Sequence, residues 1–156
     1  MTHPRTSVLA LALMVGLAAC GGGGEDSTDE TAVTNDTNSS VAASPDLPIQ
    51  SPMDLGPVDA SLAALGEEDF TTRCTTCHKM DERYVGPPLG DVMNRRSPEW
   101  IMNMILAPDK MIVTDPDAQA LLGEYSVPMT NQNLTHDEAR AILEYLRQVA
   151  ESPQAQ

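Results

Sequence analysis

A cysteine pair followed directly by a histidine constrains this chain more than any other feature of its sequence. Residues 74–80 are CTTCHKM, so that two residues separate Cys74 from Cys77 and His78 comes next. Cysteine and histidine at this spacing occur in structural zinc sites, in redox-active dithiols, in disulfides and at the attachment point of a covalent haem. Each of these uses needs different surroundings, which the rest of the sequence has to supply.

The chain around the motif has the periodicity of helices. Residues 59–74 place Leu62, Leu65 and Phe70 at helical intervals, and we expect these three side chains to share one buried stripe. No run of alternating polar and apolar residues predicts a strand. The sequence therefore predicts an all-α domain of about four short helices joined by proline-rich loops.

Three further helices have clear start signals. Residues 97–98, Ser-Pro, are an N-cap followed by proline at the first helical position, and Pro108 ends the apolar run that they open. Residues 115–116, Asp-Pro, repeat this arrangement. Thr135 and Glu138 form a capping box that starts the last helix.

The cysteine count favours haem over the other uses of the motif. Only three cysteines are present, and no second ligand pair accompanies Cys74 and Cys77, as a structural zinc site would need. A thioredoxin-like dithiol belongs to a βαβ pattern, which is absent. A disulfide is possible in an exported protein, but it leaves His78 and a core with only 3% aromatic residues unexplained. We therefore predict one covalent haem c, bound by thioethers to Cys74 and Cys77 with His78 on the iron.

From about residue 63 to residue 148 the chain resembles a class I, mitochondrial-type cytochrome c. Gly66 and Phe70 precede the haem motif as a small and an aromatic residue do in that family, and Tyr145 matches an aromatic residue of its C-terminal helix. The resemblance implies the cytochrome c fold, in which short helices surround one haem. The segment between Leu106 and Val127 departs from the family, because it is longer and more helical than the mitochondrial version.

The resemblance also implies roles for two residues near the haem. The sequence GPPLG at 86–90 is similar to the family's loop after the motif, which implies that the Pro87 carbonyl accepts a hydrogen bond from the ring N–H of His78. Such a bond orients a ligating histidine and raises its basicity. Trp100 resembles the tryptophan that contacts a haem propionate.

Met129 is the residue that we expect as the second axial ligand of the iron. It lies in the proline-stiffened loop YSVPMTNQN, 51 residues after His78 and just before the last predicted helix, as the family's ligand loop does. Met80 is too close to His78 in sequence to reach the opposite face of the ring. His136, in the first turn of a helix, is expected to face solvent. The remaining methionines of the domain are expected to serve as packing residues: Met93, Met102, Met104 and Met111.

The N-terminal third of the chain predicts export and a lipid anchor. Residues 1–19 have a charged start and a short apolar run, which is typical of a signal peptide and too short to span a bilayer. The sequence LAAC resembles the lipobox of bacterial lipoproteins, which implies lipid on Cys20 and a membrane partner. Residues 20–56 contain seven acidic residues and no basic one, so they predict a disordered linker. We expect a haem domain over 57–152 and a tail over 153–156.

The protein is therefore expected at a bacterial membrane, facing the periplasm or the cell exterior. Gly21 follows Cys20 where an aspartate would direct retention, which favours the outer membrane in a Gram-negative cell. The formal charge of −14 argues against a nucleic-acid partner. We expect a monomer whose partners are redox proteins.

The predicted function is transfer of single electrons in a respiratory chain, without enzymatic activity. His78 and Met129 would fill both axial positions of the iron, and a thioether ligand raises the potential relative to two histidines. The acceptor is expected to be an anaerobic terminal reductase such as nitrous oxide reductase, or a terminal oxidase. The alternative is a haem protein that binds or senses gases through a labile sixth ligand. A peroxidase is disfavoured, because cytochrome-c-type peroxidases carry two haem motifs.

Overall fold

The computed structural model describes residues 44–152, which form helices and loops and contain no strand. The signal peptide, Cys20, the linker up to residue 43 and the tail over 153–156 lie outside the described residues. The predicted all-α class is confirmed, with two more short helices than the four expected. None of the described helices combines the length and the apolar character needed to cross a membrane. In chain order the helices are α1 (Ala60–Arg73), α2 (Val92–Arg95), α3 (Pro98–Leu106), α4 (Pro108–Thr114), α5 (Pro116–Tyr125) and α6 (His136–Glu151).

Helices α3, α5 and α6 begin where the sequence places their caps. The side chains of Ser97 and Asp115 each accept a hydrogen bond from the backbone N–H three residues later. Thr135 and Glu138 form the predicted capping box. These contacts satisfy N–H groups that the first turn of a helix leaves without intrahelical partners. Pro108 does more than end α3, because it also occupies the first turn of α4.

Helices α1 and α6 cross at a glycine. The buried residues of α1 are Ala63, Gly66 and Phe70. A Cβ atom on Gly66 would lie 1.9 Å from the backbone oxygen of Ala141, so the two helices approach more closely than any side chain would allow. One turn further along both helices, the rings of Phe70 and Tyr145 pack with their centroids 5.4 Å apart. This crossing brings the C-terminal end of α1, and the motif after it, against α6.

The prediction of a buried stripe on α1 is wrong for one of its three residues. Leu65 is 60% exposed, and Leu62 is only half-buried. The face that α6 covers runs through Ala63 and Gly66, because only small residues permit the close helix crossing. Leu65 therefore lies on the solvent-exposed side of α1.

Residues 44–56 pack against the helical domain. The prediction of a disordered linker over residues 20–56 is therefore wrong for this part of the chain. Leu47 is 3% and Ile49 is 9% exposed. The fully buried amide of Asn103 accepts from the Ile49 N–H at 2.8 Å and donates to the Ile49 carbonyl at 2.9 Å. Glu99 accepts the N–H of Met53 at 2.6 Å. Side chains on α3 therefore form hydrogen bonds with three backbone groups of this segment. The composition of the segment alone does not reveal this arrangement.

A buried carboxylate fixes the start of α1 to α6. Glu144 is fully buried and accepts from the Asp59 N–H at 2.8 Å, from Arg147 at 2.8 Å and from Arg140. Burial alone would raise the pKa of Glu144, but the hydrogen bonds from Asp59 and the two guanidinium groups together lower it. Glu144 is therefore ionised at neutral pH and holds this end of the fold together.

Candidate haem-binding site

One cavity collects side chains from all six helices and from the loops beside them. Its walls are largely apolar, and each helix contributes at least one residue, such as Phe70, Val92, Trp100, Ile112, Ala118 and Ile142. An apolar cavity with a few polar groups on its rim is the usual form of a cofactor site.

The cysteine–histidine motif faces this cavity through a turn that continues α1. Cys74 caps the helix, and its carbonyl accepts from the N–H groups of Cys77 at 3.0 Å and His78 at 2.9 Å. This turn brings both thiols and the imidazole to the lining of one cavity. Both cysteines are free, with Cys74 half-buried and Cys77 exposed. The motif is thus open to a group that bonds to both sulfurs.

The environment of Cys74 does not suit thiolate chemistry. Desolvation by burial raises the pKa of the Cys74 thiol to about 11, and the charge of Asp69 adds to this effect against the opposing influence of Arg73. A metal-bound or redox-active thiolate needs the opposite, a lowered pKa. Within residues 44–152 no group of three or more His, Cys, Asp or Glu side chains is placed to hold a metal ion. These observations disfavour the zinc and dithiol interpretations.

His78 is held in one orientation by the loop that follows it. Its Nδ1 lies 2.9 Å from the carbonyl oxygen of Pro87, the contact that the resemblance implies. Because that carbonyl can only accept, Nδ1 carries the proton and Nε2 keeps a free lone pair. Burial lowers the pKa of His78 and outweighs the hydrogen bond to Pro87, which raises it, so the neutral imidazole is favoured. Gly86 leaves room for the ring, since a Cβ there would lie 2.5 Å from its Cε1.

Trp100 lines the cavity but its indole N–H is already engaged. Nε1 donates to Asp115 Oδ1 at 3.0 Å, and the side chain is 4% exposed. The guanidinium of Arg96 lies 4.8 Å from the Trp100 ring centroid and donates to Asp117 at 2.8 Å. The propionate contact of Trp100 stays a prediction, and a hydrogen bond from the indole would have to displace Asp115.

Met129 lines the same cavity as His78 and is half-buried. Met102 and Met111 are fully buried and do not reach the cavity, as packing residues should. Met104 differs from the expectation, because it lines the cavity as well as packing against the core. His136 is exposed and is not among the lining residues. Axial ligation by Met129 therefore stays a prediction that the arrangement permits.

Sequence reasoning missed the basic side chains on the cavity wall. Arg73, Arg95 and Arg96 all line it, although residues 57–152 carry only 8 basic residues against 16 acidic ones. The adjacent pair of arginines just before α3 was the available signal. Together with the free thiols, the Nε2 lone pair of His78 and the apolar walls, these cations fit a haem that bears two carboxylates.

The comparisons with known proteins agree with this geometry. The family model described as cytochrome c matches residues 63–150. A cytochrome c from Rhodothermus marinus is 49% identical, with 67% of this chain and 90% of that chain covered and a TM-score of 0.64. An engineered cytochrome c from the same organism is 48% identical, with 67% and 91% covered and a TM-score of 0.65. A structure of that engineered protein bound to a carbene intermediate gives 48% identity, 67% and 91% coverage and a TM-score of 0.62. No curated protein matches the chain significantly.

Proposed function

Since the chain belongs to the cytochrome c family, which binds haem c covalently and serves haem-based electron transfer, we propose that it is a membrane-anchored carrier of single electrons and not an enzyme. One observation carries the proposal. Cys74, Cys77 and His78 line the cavity from one segment of the chain, and Met129 lines it from another. In this proposal Cys74 and Cys77 would be the attachment points of the haem, and His78 and Met129 would bind its iron.

Each of these residues has a distinct role in the proposal. Haem c, when bound, supplies an iron that exchanges one electron between its ferric and ferrous states. Cys74 and Cys77 hold the group through thioethers, and His78 offers Nε2 while Pro87 fixes its ring. The thioether of Met129 favours the ferrous state and therefore raises the reduction potential.

Basic residues on the wall are suited to the propionates of the haem. Arg73, Arg95 and Arg96 each pair with a carboxylate of this chain, and from the cavity wall they would also lower the cost of burying the propionates. Arg96 is already oriented by Asp117 and by the ring of Trp100. In this proposal Trp100 contributes its ring and orients Arg96, in addition to any direct propionate contact.

The partners in the proposal are respiratory redox proteins, with an anaerobic terminal reductase such as nitrous oxide reductase or a terminal oxidase as acceptor. Residues 57–152 have 16 acidic and 8 basic residues, a formal charge near −8. This charge favours a partner with a basic docking surface, so the association rate should fall as salt is raised.

Lipidation of Cys20 would place the carrier on a bacterial membrane, facing the periplasm or the cell exterior. The support is the LAAC sequence at the end of an apolar N-terminal run. Cys20→Ser should move the protein into the soluble fraction and leave its haem spectrum unchanged. A variant that stays with membranes in high salt would contradict the anchor.

Optical spectroscopy of the purified holoprotein distinguishes an electron carrier from a gas-binding protein. With both axial positions occupied by protein, the ferric form should show the weak near-infrared band of a methionine–iron bond. The ferrous form should bind carbon monoxide only slowly. Prompt carbon monoxide binding without that band would favour the gas-binding alternative and overturn the carrier.

A further inference from the structure

The loop that carries Met129 has few bonds of its own. It follows the end of α5 at Tyr125 and runs through residues 126–134. Within the described chain, no backbone-to-backbone hydrogen bond joins residues 127–134 to another segment. A side-chain hydrogen bond connects the loop to the end of α3: Asn131 Nδ2 donates to the Leu106 carbonyl at 3.3 Å. At its far end the loop is held by Leu134, which packs against the core just before α6, so on the near side the position of Met129 depends on how α5 ends.

Arg83 caps the end of α5 from another part of the chain. Its Nη1 donates to Glu124 Oε1 at 2.5 Å, and its Nη2 donates to the Glu124 backbone carbonyl at 2.9 Å. The guanidinium carbon lies 3.9 Å from the ring centroid of Tyr125. Carbonyls in the last helical turn lack intrahelical partners, and the helix dipole favours a cation there. After these contacts the chain turns at Ser126, a non-glycine residue with φ of 58°.

The same arginine belongs to the segment that holds His78. Gly86, three residues after Arg83, donates its N–H to the Cys77 carbonyl at 2.8 Å and lies directly against the imidazole ring. Pro87 follows and bonds to His78 Nδ1. Arg83 therefore joins the segment that orients His78 to the helix end from which the Met129 loop departs.

We propose that Arg83 is a positioning residue for Met129. It holds the C-terminus of α5 against the His78 segment and so keeps the thioether within reach of the iron. The inference rests on the proposed function, since it takes Met129 as the axial ligand. The side chains of Arg83 and Glu124 are 52% and 55% exposed, and exposed ion pairs add little to global stability. Loss of Arg83 should therefore loosen the loop and leave the fold intact.

The test compares full-length holoprotein with Arg83→Gln and with a matched charge control. Arg83→Gln should lose the near-infrared band at a temperature well below that of global unfolding. It should also bind carbon monoxide about five times faster in the ferrous state, as expected for loss of an exposed pair at the upper end of its usual range. Arg83→Lys should be intermediate, because one ammonium replaces only part of the guanidinium contacts. Lys110→Gln removes the same charge and a bond to the Asp46 carbonyl, and it should match the wild type.

The outcomes separate this inference from the proposed function. If the wild type shows the band and Arg83→Gln keeps the same band stability and carbon monoxide rate, Arg83 does not position Met129 and the carrier proposal stands. If the wild type lacks the band, the positioning role fails, and the carrier proposal fails with it when the ferrous protein also binds carbon monoxide promptly. Should Arg83→Gln not fold, Glu124→Gln removes the ion pair while retaining the carbonyl and Tyr125 contacts. It should increase the rate by a smaller factor, and no increase would overturn the positioning role.

Discussion

Replacing Gly66 by alanine tests how closely α1 and α6 approach one another. The added Cβ would lie 1.9 Å from the Ala141 oxygen, far inside the 3.4 Å at which ordinary van der Waals contact begins. The clash falls on backbone, so the helices must separate, and over-packing of this kind costs about 1–3 kcal/mol or more. Alanine gains about 0.8–1 kcal/mol in helix propensity over glycine. We expect a net loss of about 2 kcal/mol, from the upper part of the first range less the second.

Gly123→Ala provides a matched control for this prediction. Gly123 also lies inside a helix, α5, but nothing is within 4 Å of where its Cβ would stand. The variant should therefore be more stable than the wild type by about 0.5–1 kcal/mol. Urea unfolding of both ferric holoproteins, followed by far-ultraviolet circular dichroism, measures the two changes. If Gly66→Ala is as stable as Gly123→Ala, the close crossing is refuted.

Three further predictions concern the haem, the buried carboxylate and the histidine. Cys74→Ala combined with Cys77→Ala should leave a largely unfolded chain, because the apolar cavity wall would face water; a helical chain with a cooperative melt would contradict this. Burial raises the pKa of Glu144, but the hydrogen bonds to its carboxylate outweigh burial and bring the pKa below the usual 4.5. The ionised carboxylate therefore contributes to folding stability above pH 4.5, and this contribution is lost as the pH falls through the lowered pKa. Glu144→Gln should thus be less stable at pH 7 and lose less stability on acidification below pH 4.5 in urea unfolding, and an acid dependence equal to that of the wild type would rule out this role. Gly86→Ala should displace the imidazole of His78 and raise the carbon monoxide binding rate of the ferrous protein, whereas an unchanged rate would show that the ring has room.

Local signals in the sequence were sufficient to locate the starts of α3, α5 and α6, but not those of α2 and α4. Ser97, Asp115 and the Thr135–Glu138 capping box each begin a helix as predicted. These predictions succeed because a cap acts over three or four residues, so its chemistry is fully contained in a short stretch of sequence. The all-α class followed from the helical periodicity and from the lack of an alternating run that would predict a strand.

Features that depend on distant contacts were not accessible in this way. Leu65 was expected in the core, but the path of α6 over Gly66 turns it to solvent. The segment around Leu47 and Ile49 resembles a linker in composition, yet it is fixed by Asn103, 54 residues away from Ile49. Periodicity and composition describe a segment by itself and contain no information about such partners.

In the candidate site, too, features set by a short stretch of sequence were predictable and features set by tertiary packing were not. The attachment motif could be expected from sequence because it is complete within residues 74–78, and the Pro87 contact of His78 was implied by the resemblance of residues 86–90 to the family's loop. The arginines on the cavity wall and the pairing of Trp100 with Asp115 could not, because they depend on how separate helices pack around the cavity. Met129 was predicted from its loop, and in the structure it lines the cavity.

The most direct test of axial ligation is the spectrum and reduction potential of Met129→Ala, compared with Met102→Ala. Met129→Ala should keep its fold, lose the near-infrared band, bind carbon monoxide when reduced and have a lower potential than the wild type. Met102 is fully buried away from the cavity, so Met102→Ala should lose about 2–5 kcal/mol of stability and keep the wild-type spectrum and potential. A silent Met129→Ala together with loss of the band in Met102→Ala would contradict the assignment of Met129 as the axial ligand.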